Sequence, residues 1–321
     1  MYCPRLDHFV RFNHNGTVSR CGHMIQIPEF DSLEQMESST WLRDVKLSFA
    51  NDTWPNECQR CQQTEQINGT SIRLNSIKFD KIQTSPDYLT VGGVLDNVCN
   101  SACQTCNENL STKIGSLKSR DYIRVDNTAR FWKLPLHRAV HLDINGGEPS
   151  ASKNYRDILK NIPDTIKSVR INTNCSTVMN EIADLARRGI HVTVTVSLDG
   201  IEQTHDYVRW PIKWQDFEKN LIAYKNMNID LNTWTTVSAL NIGDLKNIFS
   251  YVQQHELKHS WALLENPLVL SVKYKNHLTC SADVPDELKS VVAQGEDNTV
   301  ELQSWTTAQD QLRGIKLQDY Y

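Results

Sequence analysis

No apolar run in the 321-residue sequence is long enough to span a bilayer, which argues against an integral membrane protein. Met1-Tyr2-Cys3-Pro4-Arg5 does not open like a secretory signal, so a reducing, cytoplasmic setting is expected. An excess of basic charge is also missing. The 34 Lys and Arg stand against 38 Asp and Glu, a net charge of −4, and they are dispersed. That removes any general electrostatic reason to bind nucleic acid. The sequence has no internal repeat and no low-complexity tract. With 39% hydrophobic and 22% charged residues the composition is globular rather than disordered. The length suits one large α/β barrel with a small extra module, or two ordinary domains.

What the chain does have is cysteine, nine in all. In a reducing compartment these read as metal ligands rather than disulfides. Three fall together in Leu95-Asp96-Asn97-Val98-Cys99-Asn100-Ser101-Ala102-Cys103-Gln104-Thr105-Cys106, spaced Cys-x3-Cys-x2-Cys. Three is an odd number for a disulfide framework and one short of a closed zinc tetrahedron. It suits an iron–sulfur cluster with one iron left for a ligand other than protein. The rival is a zinc knuckle completed by Asn107 or a remote His.

This loop resembles that of the radical S-adenosylmethionine (radical SAM) enzymes. The resemblance implies that Cys99, Cys103 and Cys106 hold a [4Fe-4S] cluster whose fourth iron binds the amino and carboxylate groups of SAM. Reductive cleavage would then give methionine and a 5′-deoxyadenosyl radical that abstracts hydrogen from substrate. Thr105 stands where many members carry an aromatic residue that packs near the adenine.

Four further cysteines lie in residues 1–75. The stretch 8–21 reads as two short strands around Asn15-Gly16, a hairpin that brings Cys3 towards Cys21. Trp54-Pro55-Asn56-Glu57-Cys58-Gln59-Arg60-Cys61 adds a Cys-x2-Cys knuckle. Together the four complete one closed site. The pattern resembles the SPASM and twitch modules of radical SAM enzymes, placed before the core rather than after it. The resemblance implies a second, auxiliary [4Fe-4S] cluster on Cys3, Cys21, Cys58 and Cys61; a structural zinc ribbon is the alternative. Trp41 and Trp54 are expected in the core of this module.

Residues 70–87 read as a linking helix and loop, and 88–96 as a buried strand feeding the cysteine loop. Residues 112–136 read as a helix with an excursion. From there β-type runs at 139–144, 169–172, 192–197 and 233–237 alternate with helical stretches at 155–161, 178–188, 217–226 and 245–257. Such alternation predicts an α/β fold with a parallel sheet. A doubly wound open sheet gives the same pattern; the resemblance implies a partial (β/α)6 TIM-like barrel over 88–275.

Ligands in parallel α/β folds sit beyond the C-terminal ends of the strands. There the sequence carries Gly146-Gly147-Glu148, similar to the family's Gly-Gly-Glu motif, which holds the SAM amino group. Thr173-Asn174-Cys175 resembles the family's Thr-Asn-Gly strand end. Ser197 and Asp199 match residues that bond the ribose, Arg209 one that pairs with the SAM carboxylate, and Asn241 is a weaker candidate. The plain alternatives are a helix cap for Asp199 and a solvated Arg209. Cys175 reads as a packed, inert thiol, with a hydrogen-atom donor or substrate contact as the alternative.

Beyond 260 the patterning fades. Residues 268–272 are expected as the last strand and 286–293 and 307–317 as helices of a C-terminal extension, 276–321, in which Cys280 stands alone. The resemblance implies a low-potential electron donor of flavodoxin or ferredoxin type and a peptide or protein substrate. The reading from another class is a zinc-stabilised interaction protein without SAM chemistry.

Overall fold

The computed structural model describes residues 1–119, 122–292 and 295–320. It divides into two compact units: Met1–Asn97 with Val125–Gly146 and Asn161–Arg170, and Val98–Arg124 with Gly147–Lys160 and Ile171–Tyr321.

In the first unit, β1 (Phe9–Phe12), β2 (Val18–Ser19), β3 (Leu89–Val94) and β4 (Ala139–Asn145) lie in the order β2-β1-β3-β4. β1 and β2 form the expected antiparallel hairpin, and β1 also runs parallel to β3 from Phe9 opposite Thr90. β3 runs parallel to β4, with a register shift at Leu89. The opening residues of β5 (Ser168–Thr173) lie beside β4, where Arg170 pairs with Asp143 through two hydrogen bonds. Strand period two sorts the side chains. Leu89, Val91, Leu142 and Ile144 are buried on one face, while Thr90, His141 and Asp143 on the other line a cavity with Arg5, His8 and Arg170. The expected linking helix is Ile72–Asp80, started by Ser71, whose hydroxyl accepts from Leu74 N. Trp41 and Trp54 are half-buried rather than core residues, set against Phe30 and Phe49.

In the second unit the strand order is β5-β6-β7-β8, with β6 (His191–Ser197), β7 (Asp230–Val237) and β8 (Lys258–Leu263) parallel. Helices Asn180–Arg187, Trp214–Lys225 and Leu245–Gln254 alternate with these strands. The fold is α/β with a mostly parallel sheet, as the alternation predicts. Among the described residues no helix is long and apolar enough to cross a membrane.

Two expectations fail. Residues 268–272 are not the last strand: Leu268–Leu270 is a 3-10 turn, and the strand is the more polar Lys258–Leu263. Leu270 and Val272 are buried while Leu268 is exposed, and the Leu270 carbonyl accepts from Ala239 N at 2.8 Å. The tail helix runs Thr299–Arg313 rather than 307–317. It packs on a cluster of Tyr207, Val208, Ala239, Leu240, Leu264 and Leu270, into which it inserts Leu302. The helix expected at 286–293 is a single turn, Asp286–Lys289; Ala293 lies outside the described residues.

Candidate metal centre and active site

The cysteine loop has no regular secondary structure, so its backbone must find partners elsewhere. Ala102 N donates to Trp210 O and Gln104 N to Val208 O, both at 2.8 Å. Cys99 N donates to Thr112 Oγ1 at 3.1 Å. Ser111, the cap of helix Thr112–Leu117, donates to Ser101 O at 2.6 Å. Ser101 Oγ in turn sits 3.3 Å from Cys99 Sγ and 3.4 Å from Cys103 Sγ, so one hydroxyl gathers two of the three sulfurs. Burial and the neighbouring Cys103 push the Cys99 thiol up to about 11. Burial, Cys103 and Cys99 push Cys106 up to about 12.

The bonds from Ala102 and Gln104 to the C-terminal end of helix Glu202–Val208 and the turn after it carry Arg209 to the loop. Its side chain is 12% exposed, and Nη1 lies 3.2 Å from Asp199 Oδ2. Burial opposes its charge, but Cys103, Asp199, Cys99 and Cys106 outweigh that and raise its pKa. Nε is buried without a protein partner. Asp199 is itself buried, which raises its carboxyl pKa against the pull of Arg209, and Oδ1 accepts from Thr236 N at 2.8 Å. Ser197 ends β6 half-buried. Asn241 uses its whole amide on the protein. Oδ1 accepts from Ser238, and Nδ2 donates to Asp199 O at 3.1 Å and Thr236 O at 3.0 Å. It therefore braces the strand ends.

Gly146, which follows β4 in the first unit, has φ +79°, and a Cβ there would meet Val94 Cγ2 at 2.8 Å. Gly147, which opens the second unit's next segment, has φ +58°. Both values are ones that glycine adopts at no steric cost. Glu148 is 1% exposed. Its N–H donates to Val98 O at 2.7 Å, and its carboxylate accepts from Ser150 N (3.0 Å), Thr173 Oγ1 (2.7 Å) and Asn174 N (2.6 Å). Asn174 passes this on: Nδ2 donates to Asn100 Oδ1 at 2.9 Å and Ser101 Oγ at 3.1 Å. Cys175 occupies a left-handed conformation, φ +60°; its thiol is fully buried and its pKa well raised, first by burial and then by Glu148.

The other four cysteines meet within the first unit. Cys3, Cys21, Cys58 and Cys61 are buried, unbridged, and line one small cavity with Trp54 and Arg73. Burial, with Cys21 and Cys61 nearby, pushes Cys3 up to about 12; burial with Cys3, Cys21 and Cys61 raises Cys58, and burial with Cys21 and Glu65 raises Cys61. Cys280 is exposed and far from either set in sequence. Among the described residues no group of three or more His, Cys, Asp and Glu closes on a point that would hold a single metal ion. Ligands of a four-iron cube bind separate irons and need no such point.

The donor set fits a SAM-binding cluster. It offers three thiols on a tied loop, a cation at their side with an orphaned buried N–H, and strand-end residues that converge on the same loop. Sequence reasoning misses Ser101, Gln104 and Arg313. Gln104 is 1% exposed with both side-chain heteroatoms unpartnered, and Arg313 donates from the tail to the loop carbonyls. No motif marks any of them.

These features define an α/β protein with a mostly parallel sheet and a tri-cysteine loop that follows β3. Residues 95–252 match the family profile described as the radical SAM superfamily, and this segment is a radical SAM domain. Among curated proteins the chain is similar to the sporulation killing factor maturation protein SkfB of Bacillus subtilis (strain 168). The two are 23% identical over 158 residues, 48% of this chain and 37% of that one. Among solved structures it is similar to Streptococcus suis SuiB bound to S-adenosylmethionine: 12% identity, 83% of this chain and 64% of that one, TM-score 0.45. It is also similar to anSMEcpe with bound AdoMet and a peptide: 14% identity, 57% and 55%, TM-score 0.42. The chain thus spans less than two thirds of the length of each.

Proposed function

We propose that the protein is a radical SAM enzyme acting in the cytoplasm on a peptide or protein. Cys99, Cys103 and Cys106 would hold a [4Fe-4S] cluster, which when reduced would supply the electron for cleavage of SAM to methionine and a 5′-deoxyadenosyl radical. The observation that carries this reading is the bonding of 102–104 to 208–210, which brings Arg209 to the cysteine loop, where the sulfurs favour its charge. In that place Arg209 receives the SAM carboxylate, for which its planar fork is matched. Gly146 and Gly147 give backbone access for the amino group, with Glu148 holding the turn. Asn174 ties the β5 end to the loop, and Ser197 and Asp199 face the ribose.

The four-cysteine cavity is proposed as an auxiliary [4Fe-4S] site in a twitch-like segment over 1–75, ahead of a core over 88–275 and an extension over 276–321. Support for a peptide substrate comes from the curated relative, whose name makes it a maturation protein. The electron donor is proposed to be of flavodoxin or ferredoxin type.

The test uses full-length protein reconstituted without oxygen. Iron and sulfide are counted, then dithionite and SAM are added and 5′-deoxyadenosine is measured. About eight irons with nucleoside formed supports both sites. About four irons with nucleoside formed keeps the enzyme and overturns the auxiliary cluster. Zinc in place of iron, with SAM intact, overturns the whole reading in favour of a zinc-stabilised interaction protein.

A further inference from the structure

The tail helix Thr299–Arg313 ends on Arg313, because Gly314 turns out of the helix at φ +68°. Asp310, one turn earlier, fixes this end: its carboxylate accepts from Tyr207 Oη at 2.9 Å and Leu317 N at 2.7 Å. Arg313 is 6% exposed, and its Nε donates to Ala102 O at 2.7 Å while Nη2 donates to Cys103 O at 3.2 Å. Nη1 turns back to Gln309, to its carbonyl at 3.0 Å and Oε1 at 2.7 Å. Ala102 and Gln104 send their N–H groups the other way, to Trp210 and Val208. The middle of the cysteine loop is therefore gripped on both edges, by the carbonyls at the end of helix Glu202–Val208 on one and a guanidinium fork on the other.

Among the described residues Arg313 makes no ion pair with a carboxylate, and every bond it makes is to a neutral acceptor. Burial lowers its pKa, and Asp310 on the same helix end acts on its charge from nearby without bonding it, so the guanidinium stands against the carbonyl of a cluster ligand only partly compensated. A bound cluster gains one negative charge on reduction, and its potential follows net charge, hydrogen bonding and solvent exposure. A buried cation at Cys103 favours the reduced form, more strongly than an exposed one would.

We propose that Arg313 is a positioning residue for the catalytic cluster, a C-terminal clamp that fixes the 102–103 carbonyls and raises the cluster's reduction potential. The inference rests on the radical SAM reading of Cys99, Cys103 and Cys106. It makes the tail part of the cluster's setting, although nothing in the tail's sequence announces it.

The test compares wild type, Arg313→Gln and Arg313→Lys as full-length protein. It reads the midpoint of the cluster whose electron paramagnetic resonance signal changes on adding SAM, and the rate at which a chelator removes its iron. Arg313→Gln is expected to move the midpoint negative, leaving several-fold less reduced cluster at the wild-type midpoint, and to lose iron faster. Arg313→Lys keeps the charge without the fork, so a near wild-type midpoint with faster iron loss is expected. Should Arg313→Gln fail to fold, as circular dichroism would show, the Lys variant decides the matter: wild-type iron loss overturns the proposal. A folded Arg313→Gln with wild-type midpoint and iron loss overturns it too. Wild-type protein with no SAM-responsive cluster instead overturns the radical SAM reading, and this inference with it.

Discussion

Glu148 accepts three hydrogen bonds from two segments, 150 and 173–174, which joins the turn after β4 to the end of β5. Hydrogen bonds to a charged acceptor contribute about 1.5–3 kcal/mol each, and a buried donor left unpaired costs more. Glu148→Gln puts an N–H where only donors point, so a loss of about 2 kcal/mol in urea unfolding is expected. Because Asn174 relays this order to Asn100 and Ser101, SAM cleavage should fall as well. Cys175 offers a second residue-scale test. Its φ of +60° is unfavourable for any side chain, and only its sulfur gains from burial. Both Cys175→Ala and Cys175→Gly lose the sulfur, but only glycine relieves the backbone, so the Gly variant should be the more stable by about 1 kcal/mol. The reverse order would show that the left-handed conformation carries no strain. The three loop cysteines were legible because their spacing is local. The partners of Glu148 and of Arg313 were not, because they are brought together by the fold across long stretches of chain.

At the scale of elements, β3 to β7 and the helices Lys153–Asn161, Asn180–Arg187 and Trp214–Lys225 were readable, each strand burying one face in period two or a continuous apolar run, whereas helix Glu202–Val208 was not. Nor was β8. Its residues Lys258-His259-Ser260-Trp261-Ala262-Leu263 form an edge strand with exposed and half-exposed positions, so no burial pattern marks it. Residues 268–272 misled for the opposite reason: Leu270 and Val269 are apolar because they pack in the cluster under the tail helix rather than because they pair in a strand. Leu302 is the tail's fully buried contribution to that cluster. Leu302→Ala is expected to cost about 3 kcal/mol in chemical denaturation. If the tail is a clamp on the cysteine loop, the same variant should also release the loop's iron to a chelator faster.

For the molecule as a whole, the two sulfur sets share a consequence for pH. In the metal-free protein burial and neighbouring sulfurs hold the folded-state values at about 12 for Cys3, about 11 for Cys99 and about 12 for Cys106, against an ordinary value of 9.0. Between those limits the folded chain binds more protons than the unfolded chain, so unfolding free energy falls as pH rises. The stability is whole below pH about 9 and is lost progressively towards pH about 12. Metal reverses the sign, because coordinated thiolates must shed their protons, and metal affinity weakens as pH falls. Metal-free protein under reducing conditions should therefore show a urea midpoint lower at pH 10 than at pH 8, and the metal-loaded protein should lose most of that difference. Cysteine-to-alanine variants assign it: changing Cys99, Cys103 and Cys106 should abolish SAM cleavage yet leave iron on the four-cysteine site, since each set of sulfurs lies within its own unit. Retained SAM cleavage in that triple variant would remove the catalytic assignment of the loop. Loss of iron from both sites would instead mean that the four buried cysteines depend on the loop for their metal.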